Sequence, residues 1–314
     1  MRVLLTSSSF IDTPGVHHDL IKQQNWVVDY LRGPIKEDDL FPIIGNYNAV
    51  ICGDDHYTRK VLTKGRKGGL RFLSKYGIGL DQIDLAAAQD LGIMVVNTPG
   101  TNHITVAEHT FTHILAFYRS YVKEIEYTKR GEWKRITGRE VFNKNISIYG
   151  LGRIGKEVAL RAKAFGMSVT VHDLFPDIDF IKNHSLLVAN NLLELVNRSD
   201  IITIHAPLTH NTKHAFNDNL FANMKNRPLI VNTSRANIID KSALIKALDK
   251  GIISGYLTDV MWKEPMSPND ELTTYENVFI TPHIGSRTYE SVARQGCAAI
   301  NNLKELIQRN ILLL

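Results

Sequence analysis

The chain has 314 residues, of which 44% are hydrophobic and 22% are charged, the balance of a globular protein long enough for two domains. It contains no apolar run of the roughly 20 residues that cross a membrane, and its two cysteines, Cys52 and Cys297, argue against a disulfide framework and for the reducing cytoplasm. The formal charge of +5 is scattered over 37 basic and 32 acidic residues, which disfavours a nucleic-acid partner because such binding needs a basic face.

The first part of the chain alternates between short apolar runs and helical segments. Four runs are rich in Val and Ile and end in small or turn residues, namely RVLLTSS, NAVICG, RFLSKYG and IMVVNTP. The opening MRVLLTSSSF therefore predicts a first strand and not a signal peptide. Near-continuous apolar strands that alternate with helices predict a parallel sheet covered on both faces.

Residues 105–130 show one helical pattern without proline or glycine, which predicts a single long helix between two domains, with a dimer surface. Strand–helix alternation then resumes with six strand candidates, namely NISIYG, SVTVHD, DIITIHAP, LIVNTS, SGYLTDV and NVFITPH. The sequence therefore predicts an α/β fold of two Rossmann-like or flavodoxin-like, doubly wound parallel-sheet domains.

A glycine-rich loop follows the first strand candidate of the second part. Gly150, Gly152 and Gly155 have the spacing G-x-G-x-x-G, and a helix opens near Arg153. In such a loop the glycines allow a tight turn, close approach of a pyrophosphate and helix–strand packing. Asp173 ends the next strand, where a carboxylate accepts hydrogen bonds from a ribose and repels a 2′-phosphate. The loop predicts dinucleotide binding, with NAD favoured over NADP.

Three polar side chains each follow a different strand candidate in the second part. Arg235 follows PLIVNTS, Glu264 follows SGYLTDV and His283 ends NVFITPH. Arginine can bind a carboxylate with two parallel hydrogen bonds, and histidine exchanges a proton near neutral pH. A carboxylate beside an imidazole favours its protonated form. These residue types suit reduction of a 2-oxo acid, since open α/β sheets bind ligands at the carboxyl ends of their strands.

Six motifs in the same order carry a family resemblance, over about 70–288. They are KYGIGLDQID, NTPGTNHITVAEHT, GLGRIG, NTSRANIID, DVMWKEP and TPHIGS. Together they resemble the D-isomer-specific 2-hydroxyacid dehydrogenase family, on its phosphoglycerate-dehydrogenase-like branch without a regulatory domain. The resemblance implies an NAD-dependent oxidoreductase that transfers a hydride between NAD(H) and a small D-2-hydroxy acid/2-oxo acid pair.

The resemblance also implies residue roles. Arg235 would bind the substrate carboxylate and carbonyl, His283 would be the acid/base, and Glu264 would tune His283. The backbone of Tyr76, Gly77, Ile78 and Gly79 would bind the substrate carboxylate, with Arg235 and His283. The implied cofactor-binding residues are Gly150, Gly152, Arg153, Ile154, Gly155, Asp173, His205, Ala206, Pro207, Thr233, Ser234, Asp259 and Gly285.

The same resemblance implies a discontinuous first domain. Residues 1–98 and 286–314 would form the substrate domain and residues 99–285 the NAD-binding domain, with the active site in the cleft between them. It also implies a homodimer formed through the 105–130 region.

Two departures from the family pattern bear on the substrate. Ala236 follows the arginine where the family very often has glycine. In ICGDDHYT, Asp54 and Asp55 stand where relatives that recognise 3-phosphoglycerate tend to offer arginine, and acids repel a phosphate group. The side group of the substrate and the role of Trp262 remain open at this point.

His109 and His113 lie four residues apart on a helical pattern, a spacing that can bind zinc. Glu108 precedes both histidines instead of lying between them, and apolar residues surround the pair, so we predict packing or interface roles and no metal site. Two alternatives to the dehydrogenase remain: a non-catalytic, NAD-sensing corepressor-like protein, and an NAD-dependent enzyme for a bulkier substrate.

Overall fold

The computed structural model describes residues 1–311, and the chain divides into two compact units. The first unit is Met1–Asn102 with Ser286–Leu314, and the second is His103–Gly285. The first boundary thus falls after Asn102, where the sequence placed it after residue 98. Residues 312–314, the end of the range assigned to the first domain, lie outside the described residues.

The first unit contains a five-stranded parallel sheet in the order β2-β1-β3-β4-β5. Its strands are β1 (Arg2–Leu5), β2 (Val27–Tyr30), β3 (Ala49–Cys52), β4 (Phe72–Lys75) and β5 (Met94–Val96). The sequence missed β2, because this edge strand is only partly buried, whereas β3 and β4 are buried along their whole length.

Helices cover both faces of this sheet. They are α1 (Ser8–Asp12), α2 (Val16–Lys22), α3 (Glu37–Leu40), α4 (Arg59–Gly68), α5 (Leu85–Asp90) and α13 (Tyr289–Ile311), with a 3-10 turn at Ile44–Asn46. Thr58 caps α4 by accepting the Val61 N–H, as its residue type favours. The C-terminal helix α13 packs on the sheet through Ala299, Ile300 and Leu303.

The second unit contains a seven-stranded parallel sheet in the order β12-β11-β10-β9-β6-β7-β8. Its strands are β6 (Asn145–Tyr149), β7 (Ser168–His172), β8 (Leu187–Val188), β9 (Ile201–Ile204), β10 (Leu229–Asn232), β11 (Gly255–Thr258) and β12 (Val278–Ile280). The prediction of two parallel-sheet α/β units is confirmed. The sequence missed β8, an exposed edge strand of two residues.

The helices of the second unit are α6 (His103–Tyr118), α7 (Tyr121–Lys129), α8 (Arg153–Ala164), α9 (Ile178–Asn183), α10 (Leu192–Asn197), α11 (Asp218–Ala222) and α12 (Lys241–Asp249). Short 3-10 turns occupy Ala236–Ile238 and Glu271–Thr274. Within residues 1–311, no helix is long and apolar enough to cross a membrane.

The prediction of one helix over 105–130 is wrong, because the chain breaks between α6 and α7. Ser120 adopts a left-handed conformation, with φ of 51°. The carbonyl of Tyr118 accepts the N–H of Arg139 at 2.7 Å instead of an N–H from the next helical turn. A segment far along the chain therefore ends α6, which no local pattern reveals.

The strands of the second sheet are apolar at consecutive positions because both of their faces are buried. Ile230 and Tyr256 belong to the core on one face, whereas Val231 and Leu257 belong to the core on the other. Two helical layers hold the strands rigidly, and the loops that leave the carboxyl ends of the strands lie along one edge of the sheet. Three of these loops contain candidate site residues, namely Arg235 after β10, Asp259 after β11 and His283 after β12.

Candidate active site

The glycine-rich loop joins β6 to α8, and packing accounts for two of its three glycines. Gly150 has a φ of +96°, and a Cβ there would lie 2.5 Å from the N atom of Ala206. A Cβ on Gly155 would lie 2.1 Å from the carbonyl oxygen of Gly150. These two positions require glycine for the fold itself.

Gly152 differs, because a Cβ built there meets no atom of the described chain within 4 Å. The residue is exposed and occupies the N-cap position of α8, whose first two residues are Arg153 and Ile154. The backbone N–H groups of this first turn and the positive end of the helix suit a phosphate anion. The open space at Gly152 fits a bound pyrophosphate.

Asp173 lies directly after β7, beside the same loop. Its carboxylate accepts the N–H of Leu151 at 2.6 Å and the N–H of Phe175 at 2.8 Å. These bonds fix the carboxylate next to the glycine-rich loop, at the position where a dinucleotide presents its adenosine ribose.

The loop after β9 contributes His205, Ala206 and Pro207. Nδ1 of His205 lies 3.4 Å from the hydroxyl of Thr233, and the Ser234 hydroxyl donates to the carbonyl of Ala206. Among the described residues, the buried Nε2 of His205 finds no hydrogen-bond partner. Burial lowers the pKa of His205 to about 3, so the ring is neutral at neutral pH. A buried nitrogen of this kind fits a group that the bound cofactor supplies.

The Pro207 carbonyl accepts the hydroxyl of Thr212 at 2.6 Å, which closes the turn after β9.

The next loop along the sheet places Arg235 directly after β10, half-buried and in extended conformation. The side chain of Asn232 donates to the carbonyl of Arg235 at 3.1 Å, and Nη1 of Arg235 donates to the carbonyl of Ser234 at 2.8 Å. The arginine is thus held at the edge of the sheet, and buried Ala236 is accommodated after it.

Glu264 and His283 come together from the loops after β11 and β12. Nδ1 of His283 lies 2.7 Å from Oε2 of Glu264, and Oε1 accepts the Met261 N–H at 2.9 Å. Both side chains are 38% exposed. An ionised carboxylate only accepts hydrogen bonds, so Nδ1 carries a proton and Nε2 is the nitrogen that can exchange one with a ligand.

Asp259 lies after β11 and is 3% exposed. It accepts the hydroxyl of Thr281 at 2.6 Å and the N–H groups of Ile284 and Gly285 at 2.8 and 2.7 Å. Burial alone would raise the pKa of Asp259, but hydrogen bonds from His109, Thr281 and Ile284 outweigh it and lower the pKa. The carboxylate is therefore ionised at neutral pH. A Cβ on Gly285 would lie 2.8 Å from Oδ2, so glycine lets the loop approach.

His109 and His113 extend this cluster, although the sequence placed them in packing or an interface. Nε2 of His109 lies 3.4 Å from Oδ1 of Asp259 and 3.1 Å from Nε2 of His113. The four-residue spacing on α6 was the available signal, but it could not name Asp259 as the partner. Within the described part of the chain, no group of three or more His, Cys, Asp or Glu side chains is arranged to hold a metal ion.

In the first unit, residues 76–79 follow β4. Tyr76 is buried, Gly77 donates its N–H to the hydroxyl of Thr98 at 2.9 Å, and the side chain of Asn97 donates to the carbonyl of Ile78 at 2.8 Å. These bonds fix the backbone of the loop, and Ile78 and Gly79 are half-buried.

The two acids of ICGDDHYT have different environments. Asp55 is fully buried and accepts hydrogen bonds from the Thr6 hydroxyl and, at 2.9 Å, from the Ile35 N–H. It therefore connects its own loop to the segments that contain Thr6 and Ile35. Asp54 is 60% exposed and forms an ion pair with the buried Nζ of Lys75 at 2.7 Å. Only Asp54 therefore presents charge to a ligand, whereas the sequence assigned that effect to both acids.

Trp262 is half-buried on the core of the second unit. Its indole N–H donates to the carbonyl of Ile239 at 3.1 Å, and its ring lies against Tyr256. These contacts fix the ring in the core and position the loop that carries Glu264.

Residues 111–285 match the family model described as D-isomer specific 2-hydroxyacid dehydrogenase, NAD binding domain. Among relatives, the chain is 36% identical over 300 residues to a D-3-phosphoglycerate dehydrogenase of Methanocaldococcus jannaschii, covering 94% of this chain and 57% of that protein. It is 35% identical to a hydroxypyruvate reductase of Thermotoga maritima, covering 87% of this chain and 89% of that one.

A crystal structure of a protein from Thermus thermophilus superposes with a TM-score of 0.87 and 31% identity, covering 98% of this chain and 97% of that one. The chain spans little more than half the length of the Methanocaldococcus jannaschii protein and most of the length of the Thermotoga maritima protein. NAD is the cofactor of the matched domain. The family match and the relatives together show that the chain belongs to the D-isomer specific 2-hydroxyacid dehydrogenase family.

Proposed function

We propose that this protein is an NAD-dependent dehydrogenase that interconverts a small D-2-hydroxy acid and its 2-oxo acid. The observation that carries the proposal is the 2.7 Å pair of His283 and Glu264, which lies at the same sheet edge as Arg235. One side chain can exchange a proton, the second can orient the first, and the third can bind a carboxylate. The relatives bear the names of dehydrogenases and reductases, so the NAD-sensing corepressor alternative is not favoured.

The second unit holds the cofactor in this proposal. The N-terminal turn of α8 at Gly152 binds the pyrophosphate, and Asp173 accepts the ribose hydroxyls. Asp259 accepts a hydrogen bond from the N–H of the nicotinamide carboxamide, and the loops after β9 and β10 line the dinucleotide. The bound NADH supplies the hydride that reduces the carbonyl carbon. A phosphate on the ribose would meet the carboxylate of Asp173, which supports NAD over NADP.

Arg235 binds the substrate carboxylate with its guanidinium fork and polarises the carbonyl. The backbone N–H groups of Ile78 and Gly79 are further donors for that carboxylate. His283 gives the proton on Nε2 to the carbonyl oxygen, while Glu264 accepts from Nδ1 and stabilises the imidazolium. When the alcohol is oxidised, His283 takes the proton back.

We further propose that the substrate has a small, uncharged side group. The ion pair of Asp54 and Lys75 is close to the loop 76–79, because the Cβ position of Gly77 lies 3.9 Å from Nζ of Lys75. The exposed carboxylate of Asp54 would repel a phosphate group. Two charges about 4 Å apart interact by roughly 1 kcal/mol in water and more near a protein surface. Hydroxypyruvate and glyoxylate fit this description better than 3-phosphohydroxypyruvate does.

A homodimer and a cytoplasmic location complete the proposal. Exposed apolar side chains on α7 support a dimer surface in the 105–130 region, with Tyr121 60%, Val122 42% and Ile125 37% exposed. Large exposed apolar patches are typical of interaction surfaces. Neither nucleic acid nor a membrane is part of the proposed partner set.

The test follows NADH absorbance as the purified protein meets glyoxylate, pyruvate, hydroxypyruvate, oxaloacetate and 3-phosphohydroxypyruvate, with NADPH in parallel. We expect oxidation of NADH with a small 2-oxo acid whose side group is uncharged, and a kcat/KM at least about fivefold lower with 3-phosphohydroxypyruvate. Asp54→Asn should narrow the difference in kcat/KM between the two substrates, and Asp38→Asn, at an exposed position of α3, should leave it unchanged. Binding of NADH without turnover of any substrate would contradict the dehydrogenase.

A further inference from the structure

Two side chains of α6 and one from the loop after β12 form a hydrogen-bond network around the buried carboxylate of Asp259. Nε2 of His109 lies 3.0 Å from the hydroxyl of Thr281, 3.4 Å from Oδ1 of Asp259 and 3.1 Å from Nε2 of His113. Nε2 of His113 also lies 3.2 Å from the Thr281 hydroxyl. All four residues belong to the second unit, and none of them reacts in the mechanism above.

The proton count of this network identifies its central donor. The Thr281 hydroxyl has one proton and gives it to Oδ1 of Asp259, at 2.6 Å, because a carboxylate can only accept. Burial and the neighbouring His109 lower the pKa of His113 to about 4, so His113 is neutral at neutral pH and one of its nitrogens accepts. Because Oδ1 of Asp259 can only accept, Nε2 of His109 carries a proton, and this proton faces Thr281, Asp259 and Nε2 of His113.

The two oxygens of Asp259 are consequently unequal. Oδ1 receives the Thr281 hydroxyl and the Ile284 N–H, and Nε2 of His109 lies 3.4 Å from it, whereas Oδ2 receives the Gly285 N–H at 2.7 Å among the described residues. Since a carboxylate oxygen has about two lone-pair positions, Oδ1 is saturated and Oδ2 can take a further donor. The network therefore fixes both the rotation of the carboxylate and the oxygen that remains for a ligand.

We propose that His109 is a positioning residue that locks Asp259 so that Oδ2 accepts an N–H of the nicotinamide carboxamide, with His113 and Thr281 holding His109 in place. The inference rests on the proposed function, in which Asp259 binds that carboxamide. It assigns to α6 a part in cofactor recognition, where plain packing would require only apolar contact. A packing role would affect every dinucleotide alike, so the two roles can be separated.

The experiment compares equilibrium binding of NADH with that of reduced 3-acetylpyridine adenine dinucleotide, measured by the fluorescence of each cofactor. The analogue replaces the amide by a methyl ketone and has no N–H to donate. We expect the wild-type protein to bind NADH about tenfold more tightly than the analogue, the value of one hydrogen bond to a charged group. His109→Leu should reduce this ratio to about one, mainly by weakening NADH.

Two further variants keep the test decisive. His109→Gln places an amide N–H near the position of Nε2 and should restore most of the ratio. Thr281→Val removes the hydroxyl donor without changing the side-chain shape and should lower the ratio, even if His109→Leu does not fold. Thr112→Ala, on the exposed face of α6, is the matched control and should keep the wild-type ratio.

The outcomes separate the inference from the function beneath it. Tight binding of both dinucleotides by His109→Leu and Thr281→Val, with the wild-type ratio, overturns the positioning role and leaves the dehydrogenase intact. A wild-type protein that binds neither dinucleotide overturns the proposed function and this inference with it.

Discussion

Nδ1 of His283 lies 2.7 Å from Oε2 of Glu264, and the other oxygen of that carboxylate accepts a backbone N–H from its own loop. The hydrogen bond from its own loop therefore orients the Glu264 carboxylate. Because this carboxylate binds Nδ1, Nε2 is the nitrogen of His283 that can face a ligand. The backbone of His283 has a φ of 54°, a conformation that costs a non-glycine residue free energy. The fold maintains this strain at a residue that the mechanism requires.

Replacing Glu264 by glutamine should lower turnover while leaving NADH affinity unchanged. The amide lacks the charge that stabilises the imidazolium, so we expect kcat to fall about 10- to 100-fold. Steady-state kinetics and NADH titration measure the two quantities. Glu271→Gln, an exposed glutamate in the same unit, is the control. A loss of NADH affinity equal to the loss of turnover would point to a collapsed loop instead.

Replacing Arg235 by lysine should impair binding of the 2-oxo acid and the rate together. Lysine keeps the positive charge but cannot form two parallel hydrogen bonds with a carboxylate. We expect kcat/KM for the 2-oxo acid to fall at least about tenfold, with an unchanged Kd for NADH. Arg198→Lys on the surface should behave like the wild type. Wild-type kinetics in Arg235→Lys would show that another group binds the carboxylate.

Gly152→Ala should weaken NADH binding without lowering stability, whereas Gly155→Ala should lower the stability of the protein. A Cβ at Gly152 meets open space, so this variant should keep the wild-type Tm and bind NADH at least about tenfold more weakly. A Cβ at Gly155 would lie 2.1 Å from a backbone oxygen, so this variant should lose about 3 kcal/mol of stability or more. Thermal unfolding and NADH titration give both values. Full NADH affinity in Gly152→Ala would place the pyrophosphate elsewhere.

The stability of the protein should fall as the pH drops from 7 to 5. Burial lowers the pKa of His113 from 6.5 to about 4, so in this range the unfolded chain binds a proton at His113 that the folded chain does not. Proton binding by the unfolded state alone destabilises the fold, by ~2 kcal/mol between these pH values for this residue. His205, with its pKa lowered to about 3, adds a similar contribution.

Urea unfolding of the wild type and of His113→Gln at pH 7 and pH 5 measures that contribution. The variant should lose less stability on acidification, because the buried neutral ring of His113 then no longer contributes, whereas His205 still does. His210→Gln, at an exposed position, should show the wild-type difference. An equal pH dependence in His113→Gln and the wild type would mean that His113 is not neutral in the fold.

The sequence predicted those parts of the site that local chemistry determines. Gly150, Asp173, Arg235, Glu264 and His283 each follow an apolar strand, and parallel strands bring their carboxyl ends to one edge. Both sheets were predicted for the same reason, since strands buried on two faces are mostly apolar. The edge strands β2 and β8 were missed because their side chains are exposed or only partly buried.

The missed features depend on contacts between distant segments. Nothing local shows that Arg139 takes the Tyr118 carbonyl and ends α6, or that Asp55 is buried against Thr6 whereas Asp54 is exposed. The association of His109 with Asp259 is of the same kind. A residue type and a spacing predict what a side chain can do, and the tertiary fold determines which partner it meets.

The proposed mechanism requires that His283 exchanges the proton when a 2-oxo acid is reduced. The most direct test measures NADH oxidation with hydroxypyruvate, or with the best substrate of the panel, in the wild type and in His283→Asn. Asparagine tolerates the left-handed backbone conformation but cannot act as an acid. We expect kcat to fall about 100-fold or more while the Kd for NADH is retained. Wild-type turnover in His283→Asn, with NADH bound as before, would show that His283 is not the proton donor of the reaction.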